Sequence, residues 1–174
     1  MRRVLHLVRR FCVSLRRRTA SEFDLSWVEA HLTTGEWQLF EQMSGSDQAH
    51  SVDVARRVAA ALGETASFAV LAAALMHDVG KIEADSGVAI RVVATLVEPV
   101  VPDSTVERWR HRSGPVGKLA RQLGYPEAGH RLLTNAGSAD IVAAWAREHH
   151  LSSKQWSVPL GVGDVLRRAD EAAS

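Results

Sequence analysis

Apolar positions recur along the chain at helical spacing, and polar clusters cut the pattern into short segments. Val4, Leu7, Val8, Phe11 and Leu15 form one apolar stripe over residues 1–18, with arginines around it. Asp24 and Ser26 can cap a helix that continues through Leu32. After a Thr33-Thr34-Gly35 turn, residues 35–43 carry Trp37, Leu39 and Phe40 in a second short helix. Ser44-Gly45-Ser46-Asp47 breaks the chain and caps a helix over residues 48–62, which Gly63 stops. Residues 65–76 then form an uncharged run of Ala, Leu, Val and Phe, the most apolar stretch of its length in the chain, which extends as a helix to Asp78. A helix apolar on most faces belongs in a core.

The remaining segments follow the same pattern. Residues 83–87 form a polar loop, and residues 88–97 are β-branched enough for a strand. No partner strand accompanies them, and Ala89, Ala94 and Leu96 favour helix. Pro99 and Pro102 end that segment, and helices are predicted over residues 103–111, 114–123, 127–133, 139–149 and 159–172. Gly124-Tyr125-Pro126 reads as a turn. Short helices without a hairpin signal predict an all-α, compact multi-helix bundle over residues 19–174, preceded by a basic amphipathic arm, residues 1–18.

Composition changes this picture only at the ends. With 46% apolar and 24% charged residues, the chain is ordinary globular protein. The net charge of +1 hides an asymmetry: residues 1–18 hold seven arginines and no acid, so the rest is acidic in balance. An acidic body argues against a folded nucleic-acid-binding surface. The arm suits a helix packed against the domain or a frayed tail, the preferred reading, or an in-plane position on an anionic membrane. Cys12 is the only cysteine, which excludes an intrachain disulfide and fits a reducing compartment. No apolar run reaches the roughly 18–20 residues that span a bilayer, and arginines interrupt the N-terminal apolar stretch, so a cytoplasmic location is expected.

The chemistry concentrates where the apolar run ends, in His77-Asp78-Val79-Gly80-Lys81. A carboxylate at the end of a buried helix is costly unless it is paired or bound to a cation. An imidazole beside a carboxylate is also a good ligand pair for a divalent metal. Taken alone, His77 and Asp78 fit either a helix cap or such a pair. His50 lies early in the preceding helix, and Asp170 lies near the end of the last one.

His50, His77-Asp78 and Asp170, in this order and helical context, resemble the HD-domain superfamily of metal-dependent phosphohydrolases. The resemblance covers most of the chain from Asp47 to Glu171. It implies an all-α fold and a divalent metal (Mn, Fe, Zn, Co, Ni or Mg) held by His50, His77, Asp78 and Asp170. Asp78 and Lys81 would act in catalysis, with Lys81 supplying a cation for a phosphate oxygen rather than standing solvated. Two-metal subfamilies add later histidines, and His111, His149 and His150 resemble that set, with Asp78 bridging the ions. One ion is expected and a second is possible. In the alternative, His111 lies on a solvated face and the His149-His150 pair is an ordinary helix end. His6, His31 and His130 have no place in the pattern. Gly124-Tyr125-Pro126 is similar to the Gly-Tyr-Pro of the cyclic-dinucleotide phosphodiesterases, but here it precedes the His-His pair. Leu151 also stands where that subfamily carries Glu, so cyclic-dinucleotide chemistry is not expected.

The expected activity is hydrolysis of a nucleotide or another small phosphoester. The alternative is a non-catalytic module that binds metal and senses a nucleotide or a protein partner. A scaffold using the arginine arm ranks third. Asp47 can cap its helix and approach the site, and Arg56 and Arg57 suit surface charge better than phosphate contact.

Overall fold

The structure is a computed structural model that describes residues 22–84, 88–97 and 101–173. The basic arm predicted over residues 1–18 lies outside these. The chain runs through α1 (Glu22–Glu29), α2 (Thr34–Phe40), α3 (Gly45–Leu62), α4 (Phe68–Met76), α5 (Val88–Val97), α6 (Asp103–Arg110), α7 (Gly114–Leu123), α8 (Tyr125–Asn135), α9 (Asp140–Glu148) and α10 (Leu160–Ala173). Single 3-10 turns occupy Gly63–Thr65, Val79–Glu83 and Ser153–Gln155. No strand occurs among the described residues, and the fold is the expected all-α bundle.

The apolar run supplies the centre. Every residue of α4 from Val70 to Met76 is buried. Its alanines combine high helix propensity with small volume, so neighbouring helices can approach closely. Helices α3 and α9 pack against α4, α10 lies on α3, and α8 packs on α9 and on the Val79–Glu83 turn. Leu75, Met76, Val54, Val58, Val142, Trp145 and Leu166 join one core from these layers. Each large apolar side chain buried there contributes about 1.5–3 kcal/mol. No helix of the described residues is long and apolar enough to cross a membrane.

Several boundaries shift from the sequence expectation, each for a local reason. Ser44, not Asp47, caps α3: its hydroxyl accepts from the Asp47 amide at 3.2 Å. Thr33 likewise caps α2 through a reciprocal box with Glu36, so the expected turn is already a helix start. Ser67 caps α4, whose Oγ accepts from the Val70 amide at 3.3 Å. Helix α4 stops at Met76, with His77 as its C-cap and Asp78 at φ −97°, ψ 5° entering the 3-10 turn. Helix α8 begins at Tyr125 because Pro126 fits a helix's first turn, where no amide is needed.

Candidate metal centre

Three elements deliver the His-Asp side chains to one place. Helix α3 presents His50, the end of α4 presents His77 and Asp78, and α10 presents Asp170. One ligand atom each from His50, His77 and Asp78 lies within 4.8 Å of the others. His50 Nε2 stands 3.0 Å from Asp170 Oδ1. His77 Nε2 lies 3.6 Å from Asp78 Oδ2 and 3.8 Å from Asp170 Oδ1. The four residues that the resemblance singled out therefore meet around a shared locus.

The backbone selects the tautomers. His77 Nδ1 lies 2.9 Å from the Ala74 carbonyl, an acceptor, so Nδ1 carries a hydrogen and Nε2 is the nitrogen that faces the carboxylates. His149, at the end of α9, repeats the device: its Nδ1 donates to Ala146 O at 3.0 Å, and its Nε2 lies 3.8 Å from Asp78 Oδ1. A carbonyl that orients a ligating imidazole in this way is the usual outer partner of a metal-bound histidine.

Asp78 is only 3% exposed. Burial works against its ionisation, but Lys81 and then His77, His149 and His50 outweigh it and hold the carboxyl well below its usual range. Asp170 is also depressed: burial opposes its charge, and the His50 bond and His77 overcome that. Burial works against a charge on His50, but the Asp170 bond and the fields of Asp78 and Asp170 together outweigh it and raise its pKa. His149 is pushed well below its ordinary value by burial, then by His150 and His77. The two carboxylates and His149 are thus held in the forms that bind a divalent cation, whereas His50 would have to release its proton to do so. This mixed N/O donor set fits such an ion.

Lys81 forms a close ion pair with Asp78 Oδ2 and lies 3.9 Å from Asp47 Oδ1. Its Nζ also sits 5.3 Å from the centre of the Tyr125 ring. Gly80 makes this turn possible. A Cβ there would fall 1.8 Å from Tyr125 O and 2.6 Å from Gly129 N, so only glycine lets α8 press against the turn.

The other expected ligands part company. His149 joins the cluster. His150 is exposed, and its Nε2 meets the Tyr125 hydroxyl at 2.5 Å. The structure does not bring His111 to Asp78: its side chain is 82% exposed at the end of α6, with Glu107 as its neighbour at 3.9 Å. Arg56 lies over Trp27 and 3.5 Å from Asp24, and Arg57 pairs with Asp53 on the helix surface.

Two residues escaped the sequence reading. Tyr125, read as part of a turn, is buried, and its hydroxyl also lies 3.2 Å from His149 Nε2. The signal that could have found it is an aromatic hydroxyl at the first position of a helix opened by Gly-Tyr-Pro. Glu148 is buried at the end of α9 and accepts from the Ser157 amide and hydroxyl, both at 2.7 Å. It pins the segment after α9 beside His149, and nothing in its spacing set it apart from surface acids.

An all-α bundle with a buried His-Asp cluster of this make-up defines a class of metal-binding helical domains. A family model of the HD domain matches residues 48–171, from just before His50 to just past Asp170. The chain belongs to the HD-domain family, whose members are typically metal-dependent hydrolases, some of them non-catalytic. Neither a curated protein nor a solved structure matches the chain.

Proposed function

We propose that the protein is a metal-dependent phosphohydrolase acting on a nucleotide or another small phosphoester. The observation that carries this reading is Asp78: a buried, ionised carboxylate with the imidazoles of His50, His77 and His149 around it. His50, His77, Asp78 and Asp170 would hold the ion, with His149 joining from the Asp78 Oδ1 side. When bound, a divalent cation supplies Lewis acidity toward a water and a phosphoryl oxygen.

The chain's own groups do the rest. Lys81, paired with Asp78 at the edge of the cluster, would present its ammonium to a phosphoryl oxygen. Asp47 holds that ammonium in place from the other side. Phosphoryl transfer draws mainly on such positioning and charge neutralisation. The lone Cys12 supports a cytoplasmic setting.

The test is metal analysis of protein purified without chelator, followed by a panel of nucleotides, dinucleotides and aryl phosphates with each divalent metal. The expected result is at least one ion per chain and turnover that chelator abolishes. Protein that retains well under one ion per chain after reloading overturns the reading. Fully loaded protein inert toward the whole panel replaces it with a metal-binding sensor.

A further inference from the structure

The two helices that bring His50 to Asp170 also enclose a groove that the proposed chemistry does not use. Its volume is about 450 Å³. Arg57 and Ala61 line it from α3, and Val165, Arg168, Ala169 and Ala172 line it from α10. Three alanines and a valine make an apolar floor, with side chains too short to fill the space between the helices. Two guanidinium groups join them, and no carboxylate is part of the lining. That charge runs against the rest of the domain. Seven of the chain's 21 Lys and Arg lie in residues 1–18, which leaves 14 against 20 Asp and Glu.

Helix ends do not account for these arginines. Neither lies in the last turn of its helix, where a cation offsets the negative pole. Arg57 gives one nitrogen to Asp53 Oδ2 at 3.2 Å, and Arg168 donates Nε to the Asp164 carbonyl at 3.0 Å. A guanidinium carries five N–H donors, so most of each fork remains for an anion. Both terminal nitrogens of Arg168 are without a partner among the described residues. Asp53 balances one of the two cations, so the groove and its edge carry one net positive charge. That charge matches a monoanion better than a dianion.

We propose that the groove between α3 and α10 binds a small organic monocarboxylate with an apolar body, its head on Arg168 and Arg57 and its body along the alanine floor. The planar fork of an arginine matches a carboxylate through two parallel bonds. From Val165 to Ala172 the floor runs about 10 Å at 1.5 Å per residue, room for a medium-length alkyl chain. Such a chain gains by taking its own surface and that of the floor out of water. The volume lies within the range of small-molecule sites, about 300–1,000 Å³. The site is independent of the metal chemistry proposed above.

The test is calorimetric titration of the full chain with octanoate, acetate and octanol. The protein is first stripped of metal and dialysed free of chelator, so that the His-Asp centre takes no part. Wild type should bind one octanoate per chain. Acetate, which lacks the alkyl body, should bind at least about tenfold more weakly, and so should octanol, which lacks the charge. Arg168→Ala should weaken octanoate about tenfold, and Arg57→Ala less, because Asp53 already holds part of that fork. Ala61→Leu/Ala172→Leu fills the groove from both helices and should abolish binding. Arg57, Arg168, Ala61 and Ala172 are all exposed, so the variants should melt like wild type. Wild type that binds octanoate no better than acetate or octanol overturns the proposal, whatever the variants do. Octanoate binding that survives both Arg168→Ala and the filled groove also overturns it, since the acid then binds elsewhere. Sedimentation of the same samples tests the rival occupant. A wild-type dimer that Arg168→Glu converts to monomer assigns the groove to a second copy of the chain and overturns the proposal.

Discussion

The ends of α9 and α6 carry the same kind of residue and meet opposite fates. Helix α9, Asp140–Glu148, is followed by His149, and α6, Asp103–Arg110, is followed by His111. Along α9, Val142, Ala143, Trp145 and Ala146 are buried, and His149 follows them into the interior at 6% exposure. Along α6 no described side chain is fully buried, and His111 stays 82% exposed. The difference teaches that a histidine reaches a site through the apolar face of the helix that carries it. Its own position in a motif is not enough. The end of α4 is the extreme case, since its whole preceding helix is core.

The strongest way to break this comparison is to remove the point on which α4 and α9 converge. Asp78→Ala should abolish measurable metal binding and cut turnover by more than about a thousandfold, as loss of a central catalytic group does. Wild-type protein should gain melting temperature on metal addition, and the variant should gain none. The metal-free variant should also lose about 3 kcal/mol, the lower end for breaking a buried ion pair, because Lys81 retains Asp47. Paired melting curves with Mn and with chelator check both statements. A variant that still melts higher with Mn shows that Asp78 is not where the two helix ends meet.

Gly80→Ala tests the contact that sets α8 against the turn after α4. The new methyl must displace the Tyr125 carbonyl, 1.8 Å from where it would sit. Overpacking of this kind costs about 1–3 kcal/mol, and backbone on the receiving side places the expectation at the upper end. Denaturant unfolding gives the number, and a change under about 0.5 kcal/mol, the usual scatter of neutral surface changes, means that α8 is free to shift.

Glu148→Gln sharpens the comparison more gently, at the buried end of α9. The carboxylate accepts two bonds from Ser157, and charge-assisted bonds contribute about 1.5–3 kcal/mol each before the amide's partial replacement of them. A net loss of about 1–2 kcal/mol at pH 7 is expected. Burial opposes the charge of Glu148, but the Ser157 bonds and Arg147 lower its pKa below the ordinary value. Its contribution is therefore present above the unfolded value of about 4.3 and is lost as pH falls through the lower folded value. Wild type and variant should converge in stability in acid, and a gap that widens as pH falls overturns this account.

Much of this was legible in the sequence because the informative signals are local. The run from Thr65 to Met76 announces a buried helix, and a charged pair at its end announces a site. His50 and Asp170 were singled out by the resemblance to the HD-domain superfamily, and the structure sets them 3.0 Å apart across 120 residues of chain. Packing was not legible. Gly80 is required by the backbone of α8, and Tyr125 is buried by its contact with α9, relations between segments far apart in sequence. His111 illustrates the converse, since the segment carrying it has the right order but lacks the apolar face that would turn it inward.

His111→Ala is the smallest expected effect and the sharpest test of that lesson. The imidazole touches only Glu107 among the described ion pairs, at 3.9 Å on an exposed surface, and such a pair contributes about 0–1 kcal/mol. Stability should change by less than about 0.5 kcal/mol. Ions per chain and turnover should match wild type, because among the described residues the side chains found around Asp78 come from α3, the end of α4 and its following turn, α9 and α10. If the variant instead loses one ion of two, α6 must fold its end onto the centre when metal binds. Helix burial would then be a consequence of ligation at that end, and the contrast between α6 and α9 would describe only the metal-free protein. Metal analysis of wild type and variant after identical reloading decides between the two.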